Sequence, residues 1–173
     1  PADAEETTVC WAMAMENMET PTALIFSRQN IAELPAGNDY EQARKGAYVV
    51  AGSDDPFDVI LLASGSEVST LEAGKELLEK DGVRCRVVSA PSEGLFRRQS
   101  KEYQESVLPT GSKIFGMTAG LPVTLEGLVG IGPNSRIFGM KSFGFSAPYK
   151  VLDEKLGFTA ENVYKQVKDF LGK

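Results

Sequence analysis

Apolar and polar positions divide the chain into a helix, an irregular stretch, and then strands alternating with helices. Asp3 and Glu6 have the spacing of a capping box, in which each side chain meets a free backbone N–H at a helix start. A helix therefore begins near Ala4 and is filled by Val9, Ala12, Met13 and Glu16. It stops before Thr20-Pro21, because the residue ahead of proline is pushed out of helical geometry. Thr22 to Ser27 (TALIFS) is an apolar run of strand length that delivers Arg28 at its carboxyl end. From Gln29 to Lys45 the breakers Pro35, Gly37, Asn38 and Asp39 interrupt regular structure over a length unusual for an internal loop, so this stretch reads as a linker.

After the linker the pattern becomes regular. Ala47 to Ala51 predicts a strand, Gly52 to Pro56 a turn, and Phe57 to Ala63 (FDVILLA) a parallel strand covered on both faces. Ser64 and Glu67 again have capping-box spacing, and Val68, Leu71, Gly74 and Leu78 recur at helical intervals up to Asp81-Gly82. Val83 to Ser89 is the next strand, which completes a right-handed parallel crossover. Short helices near Leu95 and through Tyr103, a strand at Lys113 to Thr118, one helical turn around Leu125 to Val129 and a last strand at Arg136 to Met140 follow. Helices at Pro148 to Leu156 and Thr159 to Leu171 close the chain, the second capped by Thr159. Strands alternating with helices predict a layered α/β domain from about Gly46 onward.

Composition narrows the chemistry. An apolar fraction of 42% and a charged fraction of 24% are those of a globular protein. No apolar run approaches the roughly 18 residues that span a bilayer. The acidic start, Pro1 to Glu6, has no secretion signal, which points to the cytoplasm. A net charge of -6 argues against nucleic acid as a partner. The tightest basic cluster, Arg97, Arg98 and Lys101, runs straight into Glu102 and Glu105, as on a solvated helix face. Histidine is absent, which removes His-based triads, His metal sites and the commonest acid–base group at neutral pH. Cys10 and Cys85 read as reduced core residues. The carboxylate pairs Glu5 with Glu6, Asp54 with Asp55, and Glu102 with Glu105 fall in helix starts, turns or solvated faces, and none has the apolar setting an acid–base pair needs. Tyr48, Tyr103, Tyr149 and Tyr164 read as packing residues.

Two places remain as candidate sites. The Gly65-Ser66 turn leaves a buried strand and opens a helix, so it either presents backbone N–H groups to an anion or is an ordinary helix start. Arg28 stands at a strand end with a guanidinium suited to phosphate oxygens, and an ion pair is the alternative.

An ordered series of segments resembles the transketolase family. It comprises Pro1-Ala2-Asp3 with Glu6, Thr20 to Ile25 running into Ser27-Arg28-Gln29-Asn30, Lys45 to Val49, Leu62 to Val68, Arg86 to Ser89, Tyr103 with Ser106 to Pro109, Phe143-Gly144 with Ser146-Ala147-Pro148, and Gly157-Phe158-Thr159. The resemblance implies that residues 1–27 are the end of a pyrimidine-binding domain, 28–45 an interdomain linker, and 46–173 the carboxy-terminal domain. That domain would be a three-layer α/β/α structure with a mixed, mostly parallel five-stranded sheet. Transketolases move a two-carbon ketol unit from a ketose phosphate to an aldose phosphate, using thiamine diphosphate with Mg2+ or Ca2+. By resemblance Arg28 binds the phosphate of the sugar. The cofactor, the metal motif and the catalytic groups would lie upstream of Pro1, so this chain alone would hold no cofactor and catalyse nothing. Its partners would be the remainder of the enzyme, a second copy in a homodimer, and phosphorylated sugars. A stand-alone sugar-phosphate-binding or regulatory module is the competing reading, and part of another thiamine diphosphate enzyme is a further one, against which Ser27-Arg28-Gln29-Asn30 speaks. The chain departs from the family pattern at Met117 to Gly120, at Leu125 to Leu128 and at Lys141-Ser142.

Overall fold

In a computed structural model of the chain, residues 1–35, 39–52 and 56–173 are described. The expected breakers Gly37 and Asn38 and the carboxylates Asp54 and Asp55 lie outside them. The chain opens with α1 (Ala4–Glu16), whose cap is Asp3: its side chain accepts from the Glu6 N–H at 2.8 Å. A 3-10 turn at Tyr40–Lys45 then leads to Gly46, whose φ of +88° and close approach to the Ser92 carbonyl admit no side chain.

From there the elements are β1 (Tyr48–Gly52), β2 (Val59–Ala63), α2 (Glu67–Lys80), β3 (Cys85–Ser89), α3 (Glu93–Arg97), α4 (Lys101–Val107) and β4 (Ile114–Thr118). They continue with a 3-10 turn at Pro122–Leu125, α5 (Glu126–Val129), β5 (Ser135–Gly139), α6 (Tyr149–Leu156) and α7 (Ala160–Leu171). The sheet has five strands in the order β1-β3-β2-β4-β5. β1 is antiparallel to β3, and every other pairing is parallel. This is the mixed, mostly parallel sheet that the sequence implied.

Alternation along the strands divides the core into two layers, because successive side chains point to opposite faces. Val59, Leu61 and Ala63 of β2, with Val87 and Phe115, pack under α1, α2 and α7. Ile60, Leu62, Val88 and Ile114 pack on the other face against Phe96, Val107, Leu125 and Val129 of the short helices and turns. Both faces of β2 and β3 are fully covered, and β2 is accordingly apolar throughout, whereas β3 also buries Arg86 and Ser89.

Four expectations are corrected. Thr22 to Ser27 forms no strand. It is extended, but no described strand pairs with it, and a strand needs a ladder partner. The Ser64–Glu67 capping box does not form. Ser66 occupies the cap position in helical geometry, and its hydroxyl donates to Glu67 Oε1 at 3.2 Å. Cys10 is only half-buried, on a helix that meets the core along one face, whereas Cys85 is fully buried. Glu6 is not on a solvated helix start: it is wholly buried, because α1 lies against the ends of β1 and β3.

Candidate functional site

Parallel strands of an open α/β sheet end together, and the crevice at their carboxyl ends is where such sheets receive ligands. A groove of about 860 Å3 lies there. Its floor is built from residues that directly follow the strands: Ser64, Gly65 and Ser66 after β2, Pro91 after β3, Ala119 after β4 and Met140 after β5. The chain order diverges between β2 and β4, since β2 leads to β3 on one side and β4 lies on the other. One wall is the segment Ala23 to Ser27 and Gln29 to Ala32, and the opposite wall is formed by Phe145, Tyr149, Leu152 and Asp153 around α6.

Arg28 sits in the middle of the first wall but faces outward. The Ser27 hydroxyl donates across it to the Gln29 carbonyl at 3.4 Å, and the chain bends at Arg28. The arginine is exposed and has no ion pair or hydrogen bond among the described residues. Its two neighbours line the groove. A guanidinium left unpaired at the rim of a groove is free to take an anion in bidentate fashion.

The inside of the groove has the opposite character. Glu67 opens α2 at the floor, and burial holds its carboxyl above the ordinary value, although its own N–H and the Ser66 hydroxyl bond to it; the nearby Asp153 charge pushes it further up. Burial likewise raises Asp153. Gly65, at φ +67°, makes the turn, and Pro1 lies beside it. The Glu67 carboxylate thus already answers its own backbone donor at this turn, and an anion entering there meets two carboxylates. The structure therefore brings Gly65 and Ser66 into the groove with Ser27 and Gln29 and leaves Arg28 on its rim. Sequence reasoning missed Glu67 and Asp153, which are 86 positions apart and meet only through the placement of α6 over the β2–α2 turn.

Behind the first wall lies a second polar assembly. The two oxygens of Asp3, which is 4% exposed, take three donors: the Glu6 N–H at 2.8 Å, the Leu34 N–H at 3.1 Å and the Tyr40 hydroxyl at 2.9 Å. Glu6 accepts from the Ala2 N–H at 2.5 Å and from the Ser89 hydroxyl at 2.7 Å. A buried carboxylate is tolerated only when its lone pairs are met in this way. Tyr48 is buried alongside, and burial together with the Glu6 charge drives its phenol well above the usual range. Capping-box spacing was the one sequence signal for this assembly; the donors from Leu34, Tyr40 and Ser89 lie 31 to 83 positions away.

A mostly parallel α/β sheet with one antiparallel edge strand, carrying a groove at its carboxyl end under a segment from outside the sheet, defines a domain of the open-sheet class. Within that class, residues 46–159 match the family model described as the transketolase-like TK C-terminal domain, and the chain belongs to that family. The chain is 42% identical over 172 residues to the transketolase of Staphylococcus epidermidis, a match that takes in 97% of the chain and 26% of that protein. It therefore spans about a quarter of the length of the curated relatives it matches. Among solved structures, the transketolase from Leishmania mexicana superposes with a TM-score of 0.89 at 36% identity, over 99% of this chain and 24% of that one. A Pichia stipitis transketolase in complex with sedoheptulose 7-phosphate gives the same TM-score at 33% identity, with the same coverage.

Proposed function

We propose that this chain is the carboxy-terminal part of a transketolase and that Arg28 supplies a contact to the phosphate of the sugar substrate. On this reading residues 1–27 end a pyrimidine-binding domain, 28–45 link it to the next, and 46–173 form the carboxy-terminal domain. The observation that carries the reading is the likeness to transketolases along 97% of the chain, joined to an Arg28 at the groove rim that has no partner among the described residues. That a relative is described in complex with a sugar phosphate supports the choice of ligand.

The complete enzyme would use thiamine diphosphate, which supplies the carbanion chemistry of ketol transfer. Among the described residues no group of three or more His, Cys, Asp or Glu side chains is placed to hold a cation. The residues present do not fit a metal-held diphosphate, and the reading gives this chain no part in that chemistry. What the chain contributes is position: Arg28 fixes the far end of the substrate so that its reacting carbon arrives correctly placed. The exposed apolar side chains Trp11, Met15, Met18, Ile25 and Phe26 would pack against the rest of the enzyme.

The test is kinetic. In the complete enzyme, Arg28→Ala removes a charge-assisted contact worth about 1.5–3 kcal/mol, so KM for ribose 5-phosphate rises about ten- to hundredfold. Because ground and transition states share the contact, kcat changes far less. An unchanged KM removes Arg28 from the substrate site.

A further inference from the structure

A helix cap needs one carboxylate oxygen, and Asp3 gives Oδ1 to the Glu6 N–H for that purpose. Its second oxygen does something else. Oδ2 receives the Leu34 N–H and the Tyr40 hydroxyl together, from 31 and 37 positions along the chain. Leu34 is buried and stands two residues beyond Ala32, the end of the groove wall that carries Arg28. Farther along, Arg44 reaches both oxygens of Glu16, at 2.7 and 3.3 Å, at the last turn of α1. Two closures thus tie residues beyond Arg28 back to the two ends of α1. Of the two closures, the Glu16–Arg44 pair is exposed, whereas Asp3 is almost entirely withdrawn from water. Exposed ion pairs hold geometry weakly, and buried charge-assisted hydrogen bonds hold it well.

We infer that Asp3 is a positioning residue for Arg28: by gripping Leu34 and Tyr40 it sets the height and angle of the wall from which the guanidinium projects. Among the described residues Arg28 has no partner of its own to orient it, so its placement comes from the backbone that carries it. This rests on the reading of Arg28 as the sugar-phosphate contact.

The experiment compares ribose 5-phosphate with ribose as acceptor in the complete enzyme, reading the ratio of their kcat/KM values. A merely structural lesion lowers both and leaves the ratio in place; a misplaced phosphate contact lowers the ratio. Asp3→Ala is expected to cut the ratio about fivefold or more, and Tyr40→Phe, which deletes one donor, about twofold. Asp3→Asn, whose carbonyl oxygen still accepts from Leu34 and Tyr40, retains most of it. On an Arg28→Ala background Asp3→Ala produces no further fall, as coupled residues require. If Arg28→Ala lowers the ratio but a folded Asp3→Ala enzyme does not, the positioning role is overturned and the phosphate contact stands. If Arg28→Ala leaves the ratio intact, the phosphate reading fails and takes the positioning role with it. Should Asp3→Ala not fold, an unchanged ratio in Tyr40→Phe overturns the inference.

Discussion

Glu67 shows how one side chain can set what a groove accepts. It sits at the first position of α2, where a carboxylate ordinarily profits from the helix dipole. Here burial outweighs that benefit and raises its pKa, with Asp153 adding to the rise. The folded state therefore binds the Glu67 proton more tightly than the unfolded chain does. Below the ordinary value of 4.5 the carboxyl is protonated in both states and there is no penalty; as pH climbs through the raised value the penalty develops in full. Glu67→Gln should accordingly raise Tm at pH 8 and have little effect at pH 4. A Tm that falls at pH 8, or a gain of equal size at both pH values, contradicts the account of this residue. Asp3 and Glu6 belong to the other kind of buried carboxylate, whose oxygens are met by specific donors.

At the scale of elements, the tightest joint is that between α2 and α7, where Gly74 lets the two helices approach. A Cβ at this glycine would stand 2.5 Å from Val163 Cγ1 and 2.7 Å from Val163 Cβ, and Val163 is fully buried and stiff at χ1. Alanine gains about 1 kcal/mol over glycine in a helix interior, but overpacking costs about 1–3 kcal/mol. Gly74→Ala should destabilise the chain by about 1 kcal/mol in denaturant titration, and Val163→Ala in the same chain should relieve the clash. A more stable Gly74→Ala protein would contradict this close approach of α2 and α7.

The elements from Gly46 onward were legible because each carries its own pattern: β2 is apolar on both faces, while α2 and α7 have a single apolar stripe. Thr22 to Ser27 misled because an apolar run states that a segment avoids water, not that a neighbouring strand exists to pair with it. Ser64 misled for a similar reason. The left-handed Gly65 stands between Ser64 and the helix, which starts at Glu67. Arg28, Gly65 and Ser66 were singled out from their positions in the chain, and the fold brings the Gly65-Ser66 turn and the neighbours of Arg28 to one end of the sheet. The Glu67–Asp153 approach and the Asp3 grip were not legible, because both depend on contacts between distant parts of the chain.

For the molecule as a whole, the sheet buries a core layer on each face, and α1 joins one of these layers along one side only. Its other side leaves Trp11 stacked on Phe26 with ring centroids 6.5 Å apart, beside Met15 and Met18, which are 72% and 88% exposed. A surface of this kind is what remains when a chain meets further protein, in keeping with relatives about four times as long. On the proposed reading, the cofactor chemistry falls to the rest of the enzyme and the reading of the sugar phosphate to the rim of this groove. The most direct measurement is a crystal structure of the complete enzyme with a bound ketose phosphate. The account predicts the phosphate within hydrogen-bond distance of the Arg28 guanidinium, on the outer side of the Ser27–Gln29 bend and away from Glu67. A phosphate seated on the Gly65-Ser66 turn, or an Arg28 side chain folded away from the ligand, would contradict it.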